Sequence, residues 1–307
     1  MRFFQSIQLV LFIILIFILS SCESHEEQSQ AITPADKWEV GHGELQSYIG
    51  DPHYSGESID VPFDYLHLHK EIIHQTEYDM STGKWFLVDG QGKFGYGLTA
   101  GTQQAGSPYT ATLFSHSDHG DTLDRDIRIQ LTKRDPNLNF IQLINEKVIY
   151  IENVKEHMEF FTDHLPSEEQ AIYLLSMEIL DEEGDVEDTL VTTIYVPPKE
   201  MNVTLSMDQD VYIQTDAQAT LTLKNLGPTF LSLGTYYTIE QEIDGVWRIV
   251  PLDLIFQDIG IMLGVQQTYD QSIDLSELSP GTYRIVKEFY ADGIEATGTL
   301  AIPFTIE

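Results

Sequence analysis

The stretch GTYRIVKEFYADGIEATGTLAIPFTI (residues 281–306) decides the fold of this chain. Its two runs of apolar, aromatic and β-branched residues are typical of β-strands, and the short acidic turn between them joins the strands as a hairpin. A second stretch, AIYLLSMEILDEEGDVEDTLVTTIYV (residues 171–196), repeats this layout. Tyr173 and Tyr283 stand near the start of the first strand in each. The repeat predicts two related β-modules, each closed by a terminal hairpin.

Working outward from these hairpins, strand-like runs and turn signals alternate at short intervals over the rest of the chain. The fold class is therefore predicted to be all-β. Only residues 153–165 (NVKEHMEFFTDHL) carry a helical rhythm, and HMEFF fits a strand equally well. Pro197 and Pro198 lack the N–H group that a strand ladder needs, so the two modules should divide there.

Two signals sharpen the prediction for residues 198–307. In LSPGTYRIV (residues 278–286) a Pro-Gly turn precedes a strand that begins with a tyrosine. Asp244-Gly245 lies between two strand-like runs and favours a two-residue hairpin turn. This segment resembles the bacterial Ig-like domain at the C-terminus of many exported proteins and lipoproteins of Bacillales. The resemblance implies a β-sandwich of about seven strands. It implies no catalytic residues, because that family is recognised by its framework.

Residues 84–197 share only the terminal hairpin with this pattern, which predicts a further Ig-like sandwich in tandem. The segment before it, 38–83, is β-rich but cannot be assigned. Residues 22–37 are polar without an apolar period, as in a flexible tether.

The amino terminus has the layout of an export signal. Arg2 is followed by the uninterrupted apolar run Leu9–Leu19 and by small residues. A permanent membrane span needs roughly 20 apolar residues, so this run is short for an uncleaved anchor helix, which is the alternative.

The end of the run resembles the lipobox of bacterial lipoproteins: Leu19, Ser20, Ser21 and Cys22. Cys22 is the only cysteine of the 307 residues. The resemblance implies that residues 1–21 are a lipoprotein signal peptide and that Cys22 is acylated with chains such as palmitate. Two long acyl chains anchor a protein stably where one is marginal. The expected location is the extracytoplasmic face of the cell membrane, at the cell surface.

The chain is strongly acidic, with 16 basic and 49 acidic residues and a formal net charge of −33. The charge is spread evenly: the nets are −11 for residues 23–83, −12 for 84–197 and −11 for 198–307. An even spread indicates adaptation to an alkaline or saline exterior rather than a local acidic site. Such a polyanion repels nucleic acid, so no nucleic-acid partner is expected.

Catalytic signatures are missing from the sequence, and no catalytic residue, cofactor or metal ligand is assigned. There is no Gly-x-Ser-x-Gly motif, and no cysteine follows Cys22. The glycine-rich stretch 92–101 lacks the spacing of a phosphate-binding loop. Histidines offer the main candidates for a metal site, with His67 and His69 two apart and a second cluster in SHSDHGD (residues 115–121). The cluster residues are His116, Asp118, His119 and Asp121, which could ligate zinc or calcium, although a solvated polar hairpin turn is the favoured interpretation.

The sequence therefore predicts a membrane-anchored, non-catalytic binding module with an extracytoplasmic protein partner. One alternative is a metal-binding protein or hydrolase with its site in residues 38–135, carried on Ig-like spacers. Another is a regulator that docks on a membrane protein through the edge strands of a sandwich. Aromatic pairs could also form a carbohydrate platform: Trp85-Phe86 and Tyr236-Tyr237.

Overall fold

A computed structural model describes residues 34–56, 73–117, 119–291 and 293–307. The predicted signal peptide, Cys22 and most of the predicted tether lie outside these ranges, as do His67, His69 and Asp118. A 3-10 turn, Ala35–Lys37, precedes the first strand.

Strands dominate the described chain. The first, β1 (Tyr48–Ile49), precedes both modules. The first module contains β2 (Gly95–Leu98), β3 (Gly101–Thr102), β4 (Pro108–Phe114), β5 (Asp121–Arg134), β6 (Phe140–Val154), β7 (Met158–His164), β8 (Ala171–Leu180) and β9 (Val186–Val196). The second contains β10 (Met201–Met207), β11 (Val211–Tyr212), β12 (Gln218–Pro228), β13 (Leu231–Leu233), β14 (Thr238–Ile243), β15 (Val246–Ile249), β16 (Ile261–Leu263), β17 (Thr268–Asp274), β18 (Gly281–Ala291) and β19 (Ala296–Ile306).

The first module is a sandwich of two sheets, with strand orders β2-β4-β7 and β3-β9-β8-β5-β6. Alternate residues of β5 point into its core, among them Ile127, Ile129 and Leu131. All ten residues of β8 are buried, because its second face is covered as well. Ile73, Leu138 and Tyr78 contribute to that cover.

The second module is also a sandwich, with one sheet in the order β1-β10-β12-β17. The facing sheet has the order β11-β19-β18-β13-β16, and the hairpin β14–β15 joins it through β18. Alternating residues of β18, such as Tyr283, Ile285 and Phe289, lie in the core between the sheets. The predicted all-β fold class is confirmed.

The predicted repeat is visible in the strand registers. Tyr173 pairs with Ile194 in the hairpin β8–β9, and Tyr283 pairs with Phe304 in β18–β19. In each sandwich the last strand also pairs in parallel with a two-residue strand, β3 with β9 and β11 with β19. The two modules therefore share a terminal architecture that goes beyond the hairpin.

Two local predictions for the second sandwich are confirmed. The Tyr283 hydroxyl donates to the Ser279 carbonyl at 2.7 Å, which ties the Pro-Gly turn to the strand that follows. Asp244 and Gly245 have φ angles of 52° and 77°, the positive values that a type I′ hairpin turn requires.

The helical rhythm of residues 153–165 is wrong as a guide to structure. These residues include the end of β6 and the whole of β7. The backbone of β7 is bonded to β4, with Pro108 opposite His164 and Leu113 opposite Met158, so sheet pairing overrides the local pattern. The polar loop at 115–121 is likewise no hairpin turn, because β4 and β5 belong to different sheets and the loop crosses between them.

Residues 38–51 form a strap across the second sandwich, although the chain continues from there into the first. Val40 bridges to Arg248, and β1 pairs with β10. Between these points Gln46 and Ser47 accept backbone hydrogen bonds from β19 and β10, one in each sheet. The strap therefore links the two sheets of the second sandwich at their open edge.

A buried charge cluster fixes the strap. Glu240 is fully buried and accepts hydrogen bonds from the Arg284 guanidinium at 2.7 Å and from Nδ1 of His42 at 2.7 Å. Arg284 also donates to the carbonyls of His42 and Gly43 and stacks on Trp247, 4.4 Å from the ring centroid. Burial by itself raises the pKa of Glu240, but the hydrogen bonds from His42 and Arg284 outweigh it and lower that pKa.

A second buried carboxylate organises the start of the first sandwich. Asp188 is 1% exposed. It accepts hydrogen bonds from the Ser81 hydroxyl at 2.7 Å and from the backbone N–H groups of Thr82, Trp85 and Phe86 at 2.8–3.0 Å. The segment 38–83 is thus shared between the modules: its start packs on the second sandwich and its end on the first.

Lys287 is a buried cation without an acidic partner among the described residues. It is 1% exposed, and its ammonium donates to the carbonyls of Gly234 and Tyr236 and to Oε1 of Gln271 at 2.7–2.9 Å. The Tyr269 ring lies 5.7 Å away. Because no charge compensates for the lost hydration, burial lowers the pKa of Lys287 to about 8.

We expect this lysine to make stability rise with pH. In the unfolded chain a lysine titrates near ~10.4, so between about pH 8 and 10.4 the unfolded state binds more protons than the folded state. Raising the pH through this interval should stabilise the wild type by up to ~3 kcal/mol relative to Lys287→Met. Urea unfolding of both proteins at the two ends of the interval measures the effect. Tyrosine ionisation cancels in the comparison, and a pH-independent difference would contradict the prediction.

Candidate interaction surface

The longest open edge in the described structure belongs to β6. This strand of fifteen residues ends the five-stranded sheet, and β5 is the only strand that pairs with it among the described residues. Its other side therefore carries backbone N–H and C=O groups with no strand partner. An open edge of this length is a template for pairing with another extended chain.

The outer face of β6 carries four exposed apolar or aromatic side chains, two on each side of Glu146. Residues directly opposite each other on paired strands point to the same face. Tyr150 and Val148 lie opposite Asp126 and Arg128, and these two alternate with the core residues of β5, so they face outward. After a bulge, Leu143 and Phe140 lie opposite the outward Thr132 and Arg134. These four side chains are 43–59% exposed, and we call them the edge row: Phe140, Leu143, Val148 and Tyr150.

The charges of β6 argue against self-association through this edge. Glu146 and Lys147 lie at the centre of the strand. In a full-length antiparallel pairing of two copies, each Lys147 would oppose the other, and like charges directly opposite are destabilising. A partner of different sequence avoids this repulsion.

The described residues of the crossing loop do not converge on a metal site. His116 and His119 are exposed, and the Asp121 carboxylate accepts a hydrogen bond from the Ser115 hydroxyl at 2.7 Å. Over the residues that the structure describes, no group of three or more histidines, cysteines and acidic residues is arranged to hold a metal ion. The candidates His67, His69 and Asp118 lie outside this part of the chain.

The two aromatic pairs each place one ring in a core. Phe86 is fully buried, and Tyr237 is 6% exposed. Trp85 stacks on Phe94 and donates from Nε1 to Glu187, so its faces and its polar atom are engaged. Neither pair forms an open platform, because one ring of each pair is buried in a core.

The glycine-rich stretch 92–101 contributes a turn and the short strands β2 and the start of β3. Gly92 has a φ of 104°, and a side chain there would meet the Phe86 carbonyl oxygen at 2.0 Å. Glycine is therefore needed for close packing of a turn, not for binding phosphate.

Comparison with known proteins defines the class of the second sandwich. Residues 199–305 match the sequence model of the bacterial Ig-like domain. A bacterial Ig-like domain is thus present at these residues, as the resemblance implied. No curated protein matches the chain.

Solved structures resemble the chain only distantly. A red sea bream transglutaminase is 9% identical with a TM-score of 0.30, over 70% of this chain and 31% of that one. An Escherichia coli alpha-2-macroglobulin activated by porcine elastase is 11% identical with a TM-score of 0.26, over 70% and 22% of the two chains. The chain spans less than a third of either protein.

No helix in the described ranges is both long and apolar enough to cross a membrane.

Proposed function

We propose that this protein is a lipid-anchored, extracytoplasmic and non-catalytic module that binds a protein partner along β6. The observation that carries the proposal is the open β6 edge with its exposed edge row. Backbone pairing supplies affinity in such a complex, and contacts with alternate side chains supply specificity.

Three further features support this function. The two sandwiches give the edge a rigid frame, since β6 is bonded to β5 along nearly its whole length. The central charges of β6 disfavour pairing between copies. The even negative charge of the chain favours a partner segment with basic residues, because complementary charge speeds encounter.

The anchor is proposed from the sequence alone. Acylated Cys22 would hold the protein in membrane lipid, and residues 22–37 would let the sandwiches reach a partner at the same surface. Cys22→Ser should move the protein from the membrane fraction to the medium. Retention of this variant in the membrane fraction would contradict the anchor.

Site-specific photocrosslinking in intact cells tests the docking edge. A photoreactive amino acid at Val148 should give one reproducible crosslinked product, because Val148 lies in the edge row. The control position is Val211, which is also an exposed valine on a strand, at 48% against 52%, but belongs to the second sandwich. Equal crosslinking at both positions, or none at Val148, would contradict the proposal.

A charge substitution supplies the complementary prediction. Val148→Lys together with Tyr150→Lys should weaken capture of the same partner by at least about tenfold, since two apolar contacts are lost and about 1.4 kcal/mol corresponds to tenfold. Val211→Lys should leave capture unchanged. The product is quantified with the photoreactive amino acid at position 143 in the parent protein and in both variants.

The rival hydrolase or metal-binding function gains no support from the described residues. Its histidine candidates 67 and 69 lie outside them, so the hypothesis stays a prediction from the sequence. A thermal melt with EDTA and then zinc separates the two functions, because a docking module should show no shift with either addition.

A further inference from the structure

A groove of about 530 Å³ lies between the two sandwiches. The first sandwich lines it with Gln103 and Gln104, which follow β3. The second lines it with Ser232 on β13, Tyr290 on β18, Gly293 and Glu295 before β19, and Thr297 on β19. The groove therefore exists only where both modules meet.

A glycine contact sets the approach of the two sandwiches. Gly293 has a φ of 74°, and a Cβ atom there would lie 2.6 Å from the carbonyl carbon of Thr102. Nearby, the Tyr195 ring of the first sandwich packs edge-on against Phe230 of the second at 6.2 Å. These contacts fix the floor of the groove, because a larger residue at Gly293 would push the modules apart.

Three side chains form a row on the wall of the second sandwich. Ser232 lies opposite Tyr290, and Tyr290 lies opposite Thr297, so all three point to the same face. Tyr290 is 57% exposed and offers the face of its ring. Glu295, also exposed, closes this wall with a carboxylate.

Most polar side chains that line the groove make no hydrogen bond within the described structure. Gln103 donates from Nε2 to the Ala100 carbonyl, which leaves its Oε1 as an acceptor. The other polar side chains of the wall make no hydrogen bond or ion pair with any described residue: Gln104, Ser232, Tyr290, Glu295 and Thr297. By contrast, a polar groove on the first sandwich is self-paired, with Arg128 bonded to Glu178 at 2.7 Å.

The chemistry of the lining selects a class of ligand. Among the described residues that line the groove there is no lysine, arginine or histidine, and Glu295 repels anions. Carboxamides and hydroxyls both donate and accept hydrogen bonds, as neutral hydroxyl-rich ligands require. The Tyr290 ring adds an apolar face with a polar tip. We propose that this groove binds a neutral oligosaccharide, free or as part of a surface polysaccharide.

Saturation-transfer NMR on the full chain, in a detergent without a sugar headgroup, tests the proposal. The probes are neutral tetrasaccharides of α- and β-linked glucose and of N-acetylglucosamine, with tetragalacturonate as the anionic control. At least one neutral probe should receive saturation, and the anionic probe should not. Cosedimentation with the matching insoluble polysaccharides distinguishes a surface polysaccharide from a free oligosaccharide as the ligand. A groove for a surface polysaccharide should bind the polymer more tightly than its free fragment.

Matched variants locate the site. Tyr290→Ala should weaken binding by at least about tenfold, which corresponds to ~1.4 kcal/mol. Tyr236→Ala should have no effect, because Tyr236 is equally exposed at 59% in the same sandwich but outside the groove. Thr297→Val keeps the shape of the side chain and removes its hydroxyl group. Gly293→Ala tests the close contact between the sandwiches at the floor of the groove, without removing a ligand contact. Failure of every neutral probe to bind at millimolar concentration overturns the proposal, as does undiminished binding by both Tyr290→Ala and Thr297→Val.

This site is independent of the β6 edge. Loss of saccharide binding in Tyr290→Ala should leave crosslinking at Val148 unchanged, and the Val148→Lys, Tyr150→Lys variant should still bind the oligosaccharide.

Discussion

Glu240→Ala should lower the free energy of unfolding of the second sandwich by about 3–5 kcal/mol and release the strap. The substitution leaves the Arg284 guanidinium buried without its carboxylate, and breaking a buried pair by removing one partner is strongly destabilising. It also removes the acceptor of the His42 N–H and Nδ1. For a domain of this size the melting temperature should fall by roughly 10–20 °C.

Calorimetry gives the stability change, and hydrogen–deuterium exchange of residues 38–51 reports whether the strap has detached. Glu242→Ala is the matched control, because Glu242 lies on the same strand but is exposed. Replacing both Glu240 and Arg284 with methionine should recover a large part of the loss, since no buried charge remains. Unchanged exchange in Glu240→Ala would show that the backbone pairing of β1 holds the strap alone.

The same cluster predicts a response to acid. Because the folded pKa of Glu240 is lowered, its contribution is complete above the ordinary pKa of a glutamate. It is lost as the pH falls through the lowered, folded value. The protection of the strap against exchange, relative to the intrinsic exchange rate at each pH, should therefore fall in acid in the wild type and already be low at neutral pH in Glu240→Ala.

Asp188→Ala should destabilise the first sandwich by about 3–5 kcal/mol, because several donors lose their only described acceptor. Three of them are backbone N–H groups, those of Thr82, Trp85 and Phe86, and Phe86 is fully buried. An unsatisfied buried donor retains its full desolvation penalty. Asp188→Asn should also destabilise the first sandwich, because the asparagine amide group would turn its own N–H donors toward the donors that Asp188 now accepts from.

Trp85 makes the second prediction directly measurable. In a Trp38→Phe, Trp247→Phe background its fluorescence reports on the segment that Asp188 holds, and urea unfolding gives the stability change. The control is Asp185→Ala, an exposed carboxylate three positions earlier, which should change stability by no more than about 0.5 kcal/mol. Equal effects of Asp188→Ala and Asp185→Ala would contradict the conclusion that Asp188 organises this segment.

The candidate surfaces were only partly predictable. Edge strands can be named as docking surfaces from the sequence, but the sequence does not show which edge stays open. The β6 edge emerges from strand order, which depends on which of many compatible strands pair. The groove depends on Gln103 and Tyr290, which are almost two hundred positions apart, and no local signal joins them.

The features that could be predicted from the sequence are those set by local chemistry. Alternating apolar residues specify strands, Asp244-Gly245 specifies a hairpin turn, and the Pro-Gly turn before Tyr283 specifies the corner that its hydroxyl closes. The matching hairpins predicted two β-modules, and the described chain forms two β-sandwiches. Each of these depends on residues within a few positions of one another, where steric and hydrogen-bonding preferences act directly.

Tertiary contacts determine where the strap at 38–51 packs, which strand edge stays open and how the two sandwiches meet. The strap shows why: its partners Glu240 and Arg284 lie 198 and 242 residues beyond His42 in the chain, and the composition of the strap is that of an ordinary loop. Such contacts form because burying these charges together costs less than burying them apart. That energy depends on three-dimensional proximity, which no short stretch of sequence contains.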